Sequence, residues 1–210
     1  MADWYMTVEN EASDEFVEKK SRFIGYVKPV KTEEEAIEFV NNIKSKHSDA
    51  RHNPYAYIVS CDGVINQRYS DDGEPQGTAG MPILEVIRRR ELINVAVVVT
   101  RYFGGILLGA PGLVRAYGKG AAMALDAGSS CKMSLCVPMD FTVEYSLYGK
   151  IQNFIEPLEI IKCPPEFGTD VTLHLIIPVG MSEYISKEIT EITSGNFLLE
   201  TGSKSFYKIK

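Results

Sequence analysis

Apolar and polar positions along this chain change period several times, and each change marks an element. Between Phe16 and Val30 two short β-like runs flank Lys19-Lys20-Ser21-Arg22, the second being Phe23-Ile24-Gly25-Tyr26-Val27. Thr32, with Glu35 three residues later, forms a capping box, and Ala36, Val40, Ile43 and His47 follow at helical spacing. A helix is predicted there, with His47 on its apolar stripe as a core histidine. Tyr55 to Cys61 and Val64 to Tyr69 flank Asp62-Gly63, a type I′ turn signal, and predict a hairpin. Met81 to Arg90 predicts a helix with Ile83, Val86 and Ile87 inward, and the continuously apolar Val95 to Val99 predicts a strand covered on both faces. Leu113 to Ala127 is rich in Ala and Gly, with polar residues mainly at Arg115, Lys119 and Asp126. It predicts a nearly buried helix that Gly128 stops.

The composition changes at Ser129-Ser130-Cys131, which predicts one domain over residues 1–131 and a second over residues 132–210. From Val137 the order is strand, helix, strand, strand, helix, strand. Val137, Met139, Phe141, Val143 and Tyr145 alternate with polar positions, as do Val171, Leu173, Leu175 and Ile177, while Ile151, Phe154, Ile155 and Leu158, then Ile185, Ile189 and Ile192, mark inner helix faces. This is the split βαβ order of a ferredoxin-like domain. His174 falls on the face opposite the apolar set and is expected to be solvated.

Composition narrows the function. With 45% hydrophobic and 24% charged residues the chain is ordinary for a globular protein. Its densest apolar run, Leu92 to Val99, is far short of the roughly 20 residues that span a bilayer, and the first residues lack the basic and apolar regions of a signal peptide. A cytoplasmic protein without a membrane partner is expected. Cys61, Cys131, Cys136 and Cys163 form no C-x-x-C pair, so neither Cys nor His implies a metal site, and reduced structural thiols are expected. The net charge of -6 divides at Cys136 into 16 Lys+Arg against 18 Asp+Glu before it, which is -2, and 6 against 10 after it, which is -4. Only a local basic patch can serve RNA.

Two glycine-punctuated loops carry the candidate chemistry, Ser70 to Gly80 and Arg101 to Tyr117, each between a strand pattern and a helix pattern. In the second, Gly104, Gly105, Gly109 and Gly112 allow backbone amides to converge ahead of a helix whose dipole favours an anion. Arg101, at the end of its strand beside Tyr102, and Arg115 add donors for phosphate or carboxylate. No Walker A or G-x-G-x-x-G motif is present, and glycines at such a turn also serve purely steric ends. In the first loop Asp71, Asp72 and Glu74 could ligate Mg²⁺ or supply a general base, but they better suit an exposed turn, with Gly73, Pro75, Gly77, Thr78 and Gly80, that caps the following helix. Ser70 and Thr78 are possible nucleophiles with His52 as the nearest histidine. Tyr55, Tyr57, Tyr69, Tyr102, Phe103 and Tyr117, with Arg51, Arg68, Arg101 and Arg115, suit either base stacking or core packing.

At these residues the sequence resembles the YigZ/IMPACT family: Ser70 to Gly80 reads S-D-D-G-E-P-x-G-T-A-G, Arg101 to Tyr117 reads R-Y-F-G-G-x-x-L-G-x-x-G-L-V-R-A-Y, and Ala50 to Asn53 reads A-R-H-N. The resemblance implies an α+β protein: a two-layer α/β domain of the ribosomal-protein type, then a ferredoxin-like domain similar to the last domain of elongation factor G. Both analogies point to RNA or the ribosome. Eukaryotic relatives restrain the starvation-sensing translation kinase through an additional domain that this sequence does not show, and no established reaction comes with the bacterial members. Leu107 stands where family members often carry Lys, and Pro111 replaces a usual glycine. The expectation is a non-enzymatic, translation-associated regulator or RNA- or ribosome-binding protein without a cofactor. The alternatives are an Mg²⁺-dependent phosphoester or small-molecule enzyme using the acidic loop, and an adaptor for a translation-related protein.

Overall fold

A computed structural model describes residues 3–61 and 63–209. The elements run β1 (Trp4–Val8), β2 (Ala12–Glu18), β3 (Ser21–Pro29), α1 (Glu33–Lys46), β4 (Tyr55–Cys61), β5 (Val64–Ser70), α2 (Gly80–Arg89), β6 (Val95–Tyr102), α3 (Ala110–Gly128), β7 (Ser130–Val143), α4 (Tyr145–Ile155), β8 (Ile161–Lys162), β9 (Glu166–Phe167), β10 (Val171–Pro178), α5 (Val179–Thr193), β11 (Leu198–Thr201) and β12 (Ser205–Lys208). The chain divides into two compact units, Tyr5–Cys131 and Lys132–Lys210, with Trp4 grouped in the second. No helix among the described residues is long and apolar enough to cross a membrane.

The first unit is built on an antiparallel sheet in the order β2-β3-β6-β4-β5. Successive side chains of a strand point to opposite faces, and both faces of β6 are apolar. Val95, Val97 and Val99 pack with Ile83, Leu84, Ile87, Leu113, Tyr117 and Leu125 of α2 and α3, while Ala96 and Val98 pack with Ala36, Phe39, Val40 and Ile43 of α1. Helices therefore cover both faces of this sheet. The apolar run Val95 to Val99 requires this, because a sheet covered on one face would leave either Val95, Val97 and Val99 or Ala96 and Val98 in water. The predicted hairpin joins β4 to β5; its turn residue Asp62 lies outside the described residues.

Local signals set the helix ends. Thr32 Oγ1 accepts from Glu35 N at 3.2 Å, and the Glu35 carboxylate takes the Lys31 N–H at 2.7 Å, one residue ahead of the usual capping-box partner. α3 starts at Ala110, three residues before its apolar pattern, because Pro111 fits a first turn whose N–H groups have no intrahelical acceptor. On α2 Ile83, Leu84 and Ile87 are buried, and Val86 is partly buried against the same core. His47 caps the end of α1, and Tyr145 opens α4 instead of ending a strand.

The second unit is ferredoxin-like. β7, α4, the β8 and β9 segments, β10, α5, and the β11 and β12 segments give strand-helix-strand-strand-helix-strand, with β10 between β7 and the β8/β9 edge and β7 between β10 and the β11/β12 edge. Val137, Met139, Phe141, Val143, Leu173, Leu175 and Ile177 face Ile151, Ile155, Ile185 and Ile189. His174 lies on the other face, its Nδ1 2.9 Å from Asp140 Oδ1.

Candidate functional site

Each carboxylate of the acidic loop has a separate task inside the fold. Asp71 accepts from Gly77 N (2.8 Å), Ala79 N (3.0 Å) and Gly80 N (2.9 Å), so it caps α2 from eight and nine residues upstream. Asp72, held in the left-handed region at φ 45°, accepts from Lys44 Nζ at 2.6 Å and Asn53 N at 2.7 Å. Glu74 Oε1 meets Arg101 Nη1 at 2.6 Å and accepts from the Tyr117 hydroxyl at 2.7 Å. The remaining loop groups are likewise occupied. His52 Nδ1 donates to Asp72 O at 2.9 Å, Thr78 Oγ1 donates to Pro75 O at 2.6 Å, and Ser70 Oγ accepts from Asp72 N at 3.2 Å. Neither hydroxyl meets His52, and among the described residues no three His, Cys, Asp or Glu side chains group as ligands would. These bonds make the acidic loop a capped, internally bonded turn.

Arg101 is a correction. Its guanidinium does not face an external anion; the Arg101 and Glu74 side chains are 6% and 4% exposed, and the guanidinium carbon lies 5.5 and 5.4 Å from the ring centres of Phe23 and Phe103. Burial, followed by the Glu74 charge, pushes the Tyr117 phenol far above its usual range, so it remains a neutral donor to Glu74. Arg101 shares strand parity with Val97 and Val99, which places it in the layer of α2 and α3. Tyr102, one residue on, points into the α1 layer, so the two side chains are not brought together.

There the Tyr102 hydroxyl donates to Asp49 Oδ1 at 2.8 Å, which leaves its oxygen to accept from His47 Nδ1–H at 2.9 Å. The Tyr26 hydroxyl lies 2.6 Å from His47 Nε2 and donates to it in that tautomer. Burial first, and the neighbouring Lys46 charge second, hold the His47 imidazole below its usual range. An unfolded-chain imidazole protonates near about 6.5, so between that value and the lower folded one the unfolded chain binds more protons. Stability is expected to fall as the pH drops through this window. Urea denaturation between about pH 7.5 and pH 5.5 checks it, since His47→Gln should give a flatter profile than the wild type, and parallel profiles would remove His47 from the effect.

In the glycine loop the Gly104 amide is turned toward the β2–β3 turn. A Cβ on Gly104 would lie 2.0 Å from the backbone carbon and oxygen of Lys20, and the Gly104 N–H donates to Ser21 Oγ at 3.2 Å. Gly109 is the N-cap of α3 at φ 71°. Gly105 is exposed, Gly112 is half-exposed, and Leu107 between them is 82% exposed.

Arg115 is where the candidate site survives. It is exposed and lines a hollow of about 220 Å³ with Lys19, Lys119, Gly112, Leu108, Phe16 and Glu18. Lys119 lies one turn beyond Arg115 on α3 and holds its ammonium 4.3 Å from the Phe16 ring centre. Lys19 belongs to the β2–β3 turn, which Gly104 packs against. None of the three cations forms an ion pair among the described residues, so the hollow carries three positive charges against the single carboxylate of Glu18. Lys119 was visible in sequence as one of the few polar positions on α3. Lys19 was not, because only the fold places its turn beside α3. Arg115 also borders a second, more apolar groove between α2 and α3 with Gly77, Met81, Val86 and Val114.

A helix-flanked antiparallel unit with a basic hollow, followed by a ferredoxin-like unit, defines a two-unit α+β protein whose acidic loop is structural. The chain belongs to the IMPACT family: residues 19–125 match the Impact N-terminal domain and residues 141–196 match a domain of unknown function, DUF1949. It is 38% identical over 202 residues to the IMPACT family member YvyE of Bacillus subtilis, covering 96% of this chain and 93% of that protein. It is 31% identical to the IMPACT family member YigZ of Escherichia coli, with 86% and 89% covered. A crystal structure described only as that of a hypothetical protein superposes with a TM-score of 0.62 at 28% identity, over 95% of this chain and 97% of that one.

Proposed function

We propose that this protein is a non-enzymatic, translation-associated regulator of the cytoplasm that binds RNA phosphates through its first unit. The hollow lined by Lys19, Arg115 and Lys119 carries this reading, because three cations without carboxylate partners stand together on a chain whose net charge is -6. Excess positive potential in a small recess attracts a polyanion where the bulk charge would repel it. The ferredoxin-like second unit, which resembles the last domain of elongation factor G, supports a ribosomal setting and a second docking surface.

The test is binding of a mixed-sequence, single-stranded oligoribonucleotide of about 12 nucleotides across a salt series. Three phosphate contacts correspond to a slope of log affinity against log salt of about -2 on a single strand. Arg115→Ala/Lys119→Ala is expected to make that slope shallower by about 1.4 and to weaken binding about tenfold or more near 0.1 M salt. Arg68→Ala, on β5, should bind as the wild type does. Undiminished affinity in the folded double variant would refute the assignment, and co-sedimentation with ribosomes at low and high salt would then report on the second unit alone.

A further inference from the structure

β5 ends the five-stranded sheet, antiparallel to β4 from Tyr55↔Ser70 to Cys61↔Val64. Among the described residues its outward backbone groups meet no hydrogen-bond partner. Such edges are ordinarily blunted by Pro, Lys, a bulge or an inward charge. β2, at the opposite end of the sheet, carries Asp14, Glu15 and Glu18. β5 reads Val-Ile-Asn-Gln-Arg-Tyr-Ser and has no Pro, Lys or bulge; its one charge, Arg68, is paired with Glu33 at 2.9 Å. Val64, Ile65 and Tyr69 are 61%, 59% and 45% exposed.

We propose that this edge pairs with β5 of a second copy, antiparallel about a two-fold axis through Gln67. The strand is self-complementary in that register. Ile65 stands opposite Tyr69 twice, an aromatic and β-branched pair of the kind that stabilises antiparallel strands. Asn66 stands opposite Arg68, and Val64 opposite Ser70. Centring on Arg68 would set two guanidinium groups face to face. Centring on Asn66 would set Ile65 against Gln67 and carry Tyr69 past the end of the partner strand. Gln67 lies opposite Ile58 of β4, so Ile65, Gln67 and Tyr69 share the sheet face that bears α2 and α3. The dimer is a continuous ten-stranded sheet with those helices on one side.

A single strand pair buries less than the roughly 1,200 Å² of a standard interface, so the dimer is weak and concentration-dependent. Each copy carries a net charge of -6, so added salt strengthens this contact while it weakens phosphate binding. Sedimentation analysis up to about 1 mM protein is expected to show a monomer–dimer equilibrium that Ile65→Lys abolishes without changing the circular dichroism. In a Cys61→Ser/Cys163→Ser background, Gln67→Cys should cross-link on mild oxidation, because directly opposed Cα atoms lie about 4.5–5.5 Å apart. Ile65→Cys should not, because its two copies stand about 13 Å apart along the strand. A monomer throughout, an Ile65→Lys dimer, or cross-linking at position 65 as ready as at 67 would each overturn the proposal, whether or not another chain uses the edge.

Discussion

Glu74→Ala is expected to cost about 3–5 kcal/mol of folding stability, the range for removing one partner of a buried ion pair. Glu74 neutralises Arg101 beside Phe23 and Phe103 and accepts the Tyr117 hydroxyl. Removing it strands a guanidinium whose Nε already has no partner and leaves a buried phenol without an acceptor. A Glu74→Leu/Arg101→Met pair should recover much of the loss, because apolar groups of similar volume often replace a buried pair at little cost. Tyr117→Phe should lose only about 1 kcal/mol, the ordinary net worth of one hydrogen bond. Urea denaturation of the four proteins is the measurement. A loss below about 1 kcal/mol for Glu74→Ala would mean that the pair is wet enough to behave like a surface contact.

Gly104→Ala is expected to destabilise the first unit by about 3 kcal/mol or more, at the upper end for an overpacked site. The new Cβ would stand 2.0 Å from the Lys20 carbonyl, and backbone cannot turn aside as a side chain can. The turn behind it is already constrained, since Lys19 and Lys20 both sit at positive φ, 44° and 63°. Displacing that turn also moves Lys19 away from Arg115, so RNA affinity should fall with stability. Gly118→Ala is the contrast. Its Cβ would meet only Val86 Cγ2, at 3.9 Å, and replacing glycine inside a helix gains up to about 1 kcal/mol. Equal losses at the two positions would show that the loop yields and that Gly104 has no steric role.

Periodic elements were legible because the period itself is the physical signal. The Val95 to Val99 run announced a strand covered on both faces, and the alternation after Val137 announced the ferredoxin-like sheet. Leu84 was missed because α2 offers a wide apolar face, and only its packing on α3 buries Leu84 beside Ile83 and Ile87. The site was less legible. The family motifs named the two loops, and strand parity alone puts Arg101 with Val97 and Val99. Its acid, however, comes from a loop 27 positions away, and no spacing rule pairs them. Asp71, Asp72 and Glu74 look alike in sequence and differ only in which groups the fold brings to them: amides, an ammonium, a guanidinium. The hollow joins a hairpin turn to the second turn of α3, an encounter set by β3 pairing with β6.

The last two residues of β6 act as a rivet through all three layers of the first unit. Arg101 locks one head of it to the acidic loop and α3, and Tyr102 locks the other to the end of α1. Neither head can be pulled without loading the other, because a single peptide bond separates them. The segment that follows therefore springs from a stiff mount, and whatever freedom its apolar tip at Leu107 has begins only beyond Gly104.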